Sequence, residues 1–318
     1  MDKLLKKLIP PISVSGCERA ITEVLKELCA PYGETASDHL GNLVLHKPGK
    51  GKRIMLAAHM DTVGLVATYI EDSGFVRFGK IGGMKLIPCV GQRVQFENGV
   101  IGVICTERDV EAKDVKEEKL YVDTLGQKVA PGDTAGFCDA PLFVDGKVMS
   151  HSLDNRLGCA VCLKAMELLK DTDNDIFCVF TVQEEVGRRG AGPAAFSICP
   201  DLAIAVDICG VEDMPGGSKQ NALTLSGGPI VKYMDLRSIS HPAVNKLLEQ
   251  TAQELGMTVQ RCVTNHGGTD ASTILSSRGG VPSGTLSVPI RYTHTANELA
   301  DLTMAQRCAE LLAAAIAK

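Results

Sequence analysis

From about residue 65 to residue 150 the sequence is a run of short β-rich pieces, while on either side apolar strands alternate with helices. The pieces LVATYI, FVRFGKI, RVQFEN, VIGVIC, KLYVDTL and APLFVDGKVMS are separated by Gly, Asn and Asp turns, with no long helix among them. Such a run reads as a small β-barrel or sandwich of its own. Before it, RAITEVLKELCA (19–30) places Ile21, Val24, Leu25 and Leu28 on one helical face, and strands follow at about 41–46 and 53–58. After it come a helix at about 155–170 and strands at about 175–182 and 201–208. A further helix is opened by Ser240 as N-cap and Pro242 in its first turn, and a last helix covers about 299–317. Apolar strands alternating with helices predict an α/β fold with a mainly parallel sheet flanked by helices. Residues 1–64 and 151–318 then form one α/β domain, and 65–150 is a β-rich domain inserted into it.

A chain of 318 residues that is 45% hydrophobic and 22% charged fills a sizeable core. The net charge is -5 and no dense Lys/Arg block occurs, so nucleic acid is not an expected partner. Lys3, Lys6 and Lys7 alternate with leucines and read as a solvated helix face. No apolar run approaches the roughly 20 residues that span a bilayer. The N-terminal stretch lacks the apolar core of an export signal, so the expected location is the cytoplasm. Most of the twelve cysteines sit in apolar runs, where a thiol behaves as a small hydrophobe. Cys159 and Cys162 form one CxxC inside a helical stretch with no second pair, which favours buried thiols over a zinc knuckle.

Acids and histidines fall where strands end. His59 and Asp61 close one strand, Glu184 and Glu185 another, and Asp207 a third. In open α/β sheets the ligand site lies beyond the carboxyl ends of the strands, so three strands deliver these groups to one rim. Singly each is ordinary: a structural histidine, a surface acid pair, Asp154 as a helix N-cap, His294 as a loop residue. Together, burying them costs several kcal/mol each unless a cation neutralises them.

The segments AAHMDTVG, SHSLDNRLGCAV, TVQEEVGRRGA, AVDICG, HGGTDAS and RYTHTANE occur in the order of the M42 family of metallo-aminopeptidases, which the chain resembles from about residue 8 to its last helix. The resemblance implies a zinc-peptidase-like fold and two divalent ions bridged by Asp154. One ion is bound further by His59 and Asp207, the other by Glu185 and His294. Glu184 is implied as general base and Asp61 as the partner that orients His59. Imidazole and carboxylate donors suit zinc or cobalt, with manganese an alternative. Glu184 and Glu185 cannot both face one centre from an extended strand, so a turn after Gln183 is expected. The implied activity is removal of the N-terminal residue from peptide substrates. The implied assembly is a homo-oligomer whose dimers build a dodecamer through the insertion.

Two other readings fit part of this pattern. An M20-type deacylase uses similar motifs but carries its extra domain late, whereas here the long gap is early, between His59 and Asp154. A non-catalytic metal-binding scaffold predicts a damaged ligand set, and this one is complete. The stretch His266-Gly267-Gly268-Thr269-Asp270 is either a pocket loop or a tight glycine turn. Arg188, Arg189 and Arg291 are the candidate cations for a pocket taking an acidic first residue.

Overall fold

The computed structural model describes residues 1–218 and 222–318. Helices α1 (Asp2–Leu8) and α2 (Arg19–Cys29) lead into strands β1 (Glu34–Ser37), β2 (Leu43–Lys47) and β3 (Arg53–His59). Six short strands follow: β4 (Gly64–Ile70), β5 (Val76–Ile81), β6 (Arg93–Phe96), β7 (Ile101–Thr106), β8 (Leu120–Asp123) and β9 (Thr134–Phe137), with the one-turn helix α3 (Leu86–Cys89) between β5 and β6. They close into a barrel in the order β4-β5-β8-β7-β6-β9. Inward side chains such as Leu65, Phe78, Phe96, Ile104 and Val122 fill it, so it has a core of its own.

The chain then runs through β10 (Leu142–Val144), β11 (Lys147–Ser150), α4 (Leu153–Leu168), β12 (Asp175–Thr181), α5 (Ala191–Ile198), β13 (Leu202–Gly210) and β14 (Ile230–Met234). It ends with α6 (Pro242–Glu254), β15 (Gln260–Val263), α7 (Ala271–Ile274), β16 (Ser283–Arg291), β17 (Glu298–Asp301) and α8 (Leu302–Ile316). The large sheet has the order β1-β2-β12-β3-β13-β16-β17-β11-β10, with β14 branching from β16 and carrying β15.

The expected parallel pairing holds for the four central strands, β12, β3, β13 and β16. Both flanks are antiparallel, so the sheet as a whole is mixed. The difference is physical: continuous apolar runs mark strands buried on both faces, and only the central ones are. Strand β3 shows this directly. Its Ile54, Leu56 and Ala58 belong to the large core under α1, α2, α4 and α8, while Met55 and Ala57 face a smaller core under α5 and α7. Helix α4 lies so close to β13 that a Cβ at Gly158 would stand 2.5 Å from the Val206 carbonyl oxygen.

Three local expectations change. The last β-rich piece, APLFVDGKVMS, forms β10 and β11, and β11 pairs with β17 of the large sheet, not with the barrel. Alternation marks a strand but not its partner. Ser240 does not cap α6: it is buried and donates to the Lys232 carbonyl, and His241 Nδ1 accepts the cap bond from the Ala243 amide. The last helix begins at Leu302, capped by Asp301, because Glu298–Asp301 is drawn into the sheet as β17.

Candidate metal centre

The seven acids and histidines singled out from the sequence gather beyond the ends of β3, β12 and β13, where Asp154 at the start of α4 and His294 between β16 and β17 join them. His59 is the last residue of β3. Its Nδ1 faces the Asp61 main-chain carbonyl at 3.1 Å, which fixes the ring and turns Nε2 toward two carboxylates, Asp154 Oδ1 at 3.0 Å and Asp207 Oδ1 at 3.7 Å. Asp207 precedes the end of β13, which runs on to Gly210. On the other side His294 Nδ1 faces the Gly83 carbonyl, in the barrel's β5–α3 connection, at 3.2 Å. Its Nε2 lies 3.2 Å from Asp154 Oδ2 and 3.5 Å from Glu185 Oε1. The two oxygens of Asp154 thus face two different imidazoles. His59, Asp154 and Asp207 offer one set of donor atoms lying within 4.8 Å of one another, and Asp154, Glu185 and His294 offer another.

The backbone is bent to make this possible. Gln183, just past β12, has φ 55°, and Ser152 and His294 have φ 61° and 62°. Non-glycine residues adopt this left-handed region at a cost of order 1–3 kcal/mol and keep it where surrounding bonds enforce it. The turn at Gln183 aims Glu185 at His294, while Glu184 Oε1 points toward Arg188, 3.9 Å away. Asp61 holds that turn. Fully buried, it accepts the Glu184 amide at 2.9 Å, the Glu185 amide at 3.2 Å and the Ser15 hydroxyl at 2.6 Å. Its carboxylate is 3.5 Å from His59 Nδ1, so it braces the glutamate turn more closely than it touches the ring.

Electrostatics mark the cluster as short of positive charge. Burial, then the charge of Asp154, pushes Glu185 up to about 8. Glu184 is raised well above the carboxylate range by burial, with Asp270, Asp207 and Glu185 adding to it. Burial alone would lower His294, but its bond to Asp154 and the charge of Glu185 outweigh that and lift it to about 10. His59 is raised in the same way by Asp154, Asp207 and Asp61 against the opposing pull of burial. Asp154 Oδ1 and Glu185 Oε1 are buried without a hydrogen-bond partner. Buried carboxylates that share one imidazole Nε2–H between two of them, with oxygens left over, are the arrangement a cation completes.

Sequence reasoning missed four supports. Glu298, the last residue of RYTHTANE, is buried and accepts the Asp154 amide at 3.0 Å and the His294 amide at 2.7 Å. Asp270 of HGGTDAS is buried and takes the Thr181 hydroxyl at 2.5 Å. Glu18 accepts the Gln183 amide at 3.1 Å. Arg156, fully buried, donates to the Met60 carbonyl at 2.6 Å and the Pro11 carbonyl at 3.2 Å. In the sequence Glu298 and Asp270 are single acids inside the quoted motifs, Glu18 is an acid just before the first amphipathic helix, and Arg156 is a charge within an apolar helix.

A cavity of about 570 Å³ opens over this centre. The glycine loop from His266 to Thr269 lines it, so the pocket-loop reading fits and the lone-turn reading does not. Arg188 lines it too, whereas Arg291 is paired with Asp213 at 2.6 Å and is not in its wall. Lys232, unremarked in the sequence, is a buried cation in that wall.

The sequence profile described as M42 glutamyl aminopeptidase matches residues 41–311. The chain belongs to the M42 peptidase family. It is an aminopeptidase by this membership, and the match decides against an M20-type deacylase. A relative of this M42 peptidase in Acetivibrio thermocellus is 44% identical over 99% of this chain and 98% of its own length. The solved aminopeptidase APDkam598 from the archaeon Desulfurococcus kamchatkensis superimposes with a TM-score of 0.94 at 34% identity, covering 99% of this chain and 94% of that one. The TET1 peptidase of Pyrococcus horikoshii, which can assemble into a tetrahedron or a large octahedral shell, gives 0.88 at 29% identity and 98% coverage of both chains. Among the described residues no helix is long and apolar enough to cross a membrane.

Proposed function

We propose that this M42 peptidase removes N-terminal residues from peptides at a two-metal centre. His59, Asp154 and Asp207 would hold one ion, and Asp154, Glu185 and His294 the other. The observation that carries the reading is Asp154, whose two oxygens face separate histidines at 3.0 and 3.2 Å with a buried, unpartnered Glu185 Oε1 beside them. Two bound divalent ions polarise a scissile carbonyl and acidify an attacking water. Imidazole and carboxylate donors suit zinc or cobalt first, and manganese after them.

Glu184 is the general base. It lines the cavity beside the donor sets without belonging to either, and its surroundings raise its proton affinity. It takes the proton of the attacking water and returns it to the leaving amine. Asp61 acts through others: by gripping both glutamate amides it sets where Glu184 stands relative to Glu185. Glu298 does the same for Asp154 and His294. The likeness to a TET1 peptidase supports a homo-oligomer in which dimers build a larger shell.

The test pairs activity with metal content. Amino-acyl nitroanilides are offered to enzyme loaded with zinc, cobalt or manganese, with a chelated control and an N-acetylated substrate alongside. Turnover of the free-amino substrate alone, lost on chelation and regained with close to two ions per subunit, is the expected result. Activity that survives complete chelation would sink the reading, as would preference for the N-acetylated substrate. Light scattering reports the assembly, and a monomer at all concentrations would refute the oligomer.

A further inference from the structure

The wall of the same cavity holds a second reactive pair. Cys209 Sγ and Cys262 Sγ lie 3.7 Å apart in hydrogen-bond contact, and both residues line the cavity. They come from strands that are not neighbours: Cys209 from β13 and Cys262 from β15, with β16 and β14 between them in sheet order. Around them Val211, Leu223, Leu225 and Ile230 form a small apolar cluster, of which Leu223 also lines the cavity. Cys209 is 8% exposed and Cys262 1%. Cys162 and Cys178 also interact, but both are fully sealed in the main core, away from any cavity.

We propose that Cys209 and Cys262 form a reversible disulfide, made by a hydroperoxide that enters through the substrate cavity, and that this bond shuts the peptidase down. Cys209 Sγ, the more open of the two, attacks an oxygen of hydrogen peroxide. The O–O bond breaks, one water leaves, and Cys209 becomes a sulfenic acid. Cys262 Sγ then attacks that sulfur, the S–O bond breaks, and a second water leaves with the thiol proton as the S–S bond forms. Two thiols are oxidised and one peroxide is reduced to two waters. No further co-reactant is needed.

The consequence for activity follows from position. Asp207 stands two residues before Cys209 on the same strand and faces the same side. A disulfide closes the 3.7 Å sulfur gap to about 2 Å, and whatever side-chain rotation does not supply must come from a shift of β13 or β15. Misplacement by about 1 Å near reacting groups costs up to roughly 100-fold. The bond also ties the outlying β14–β15 pair in the cavity wall to the central strand, narrowing what the cavity admits.

The inhibition rests on the proposed function, but the bond does not, and the experiment separates them. Zinc-loaded enzyme, free of added thiols, is treated with hydrogen peroxide, then alkylated unfolded, weighed intact and mapped by peptides. The expected outcome is a mass loss of two hydrogen atoms and a Cys209–Cys262 cross-linked peptide, with Cys162 and Cys178 still alkylated. It comes with a fall in kcat/KM of about tenfold to 100-fold, and dithiothreitol reverses both. Cys209→Ser and Cys262→Ser should form no link, and after peroxide each should keep the activity of its own untreated sample. If both thiols stay alkylatable, or Cys209 passes to a sulfinic acid beside a free Cys262, the disulfide is refuted. A bond that forms without changing activity refutes the shut-down alone. Enzyme inactive before treatment refutes the aminopeptidase centre, and the mass result still decides the bond.

Discussion

Replacing Asp61 with Asn tests whether the glutamate turn is held by one carboxylate. The side chain keeps its size, so packing is unchanged, and only acceptor capacity and charge are lost. Asp61 Oδ1 accepts the Glu184 amide at 2.9 Å, and Oδ2 accepts the Glu185 amide at 3.2 Å and Ser15 Oγ at 2.6 Å. An asparagine has one acceptor oxygen. If it faces Glu184, the new NH2 meets the Glu185 amide; if it faces the Glu185 side, the NH2 meets the Glu184 amide. Either way one buried N–H is left against another donor, at about 1–3 kcal/mol, and the surviving bonds lose their charge assistance. The sum is about 3 kcal/mol, which for a protein of this size lowers Tm by several degrees. The catalytic loss should be larger than stability alone explains, because the turn that carries Glu184 relaxes while the protein is still folded. A fall in kcat/KM of about 100-fold is expected. The assay is kcat/KM at a temperature well below the variant's Tm, with bound metal measured on the same sample. Ser15→Ala, which removes one bond and leaves both amides paired, is the control and should cost less than about 1.5 kcal/mol. A folded, metal-loaded Asp61→Asn enzyme within twofold of normal activity refutes the bracing role.

Glu184→Gln should keep its metal and lose about 10²–10⁴ in kcat, the usual share of a general base, as read by turnover and elemental analysis together. His151, 3% exposed, is pushed down to about 4 by burial and then by the Arg156 charge, so it folds as the neutral form. Its unfolded value, near 6.5, is higher, so the unfolded chain binds the extra proton and stability falls as pH drops from about 6.5 toward 4, by up to about 3 kcal/mol. Tm measured across that window should fall less steeply in His151→Asn than in the parent, and parallel curves would contradict the assignment. Gly158→Ala sets about 1 kcal/mol of gained helix propensity against a Cβ placed 2.5 Å from the Val206 carbonyl oxygen. The clash should win by about 1–2 kcal/mol in chemical unfolding, and a stabilised variant would mean that α4 sits farther from β13.

The parts legible in sequence were those written in local pattern. Apolar runs marked the buried central strands and turn spacing the barrel strands; His59, Glu185 and Asp207 stood out at strand ends, whereas Asp154 and His294 stood out only through the motifs shared with the M42 family. The turn at Gln183 followed from the geometry two adjacent glutamates require, and φ 55° there matches it. What stayed hidden depends on partners far along the chain. Nothing near Val148 says that it pairs with Ala300 and not with the barrel. Glu298 and Asp270 look like ordinary polar residues until burial gives them amide and hydroxyl donors to hold. Arg156 reads as the polar face of a helix, yet it is wholly buried, because its guanidinium finds the Met60 and Pro11 carbonyls. Lys232 was passed over because a single lysine in a strand carries no periodic signal.

The segment from Pro11 to Glu18 reaches the centre at several points, through Pro11 to Arg156, Ser15 to Asp61 and Glu18 to the Gln183 amide. At the other end of the chain, His294 and Glu298 complete it. Synthesis at about 5–20 residues per second separates Pro11 from Glu298 by roughly 15–60 s, so the braces become available in turn, Ser15 with Asp61 first and Glu298 with His294 last. Until residues 294–298 leave the ribosome, Asp154 lacks both its second imidazole and the carboxylate that holds its amide. A nascent chain short of these residues therefore carries most of the cluster without its final spacing.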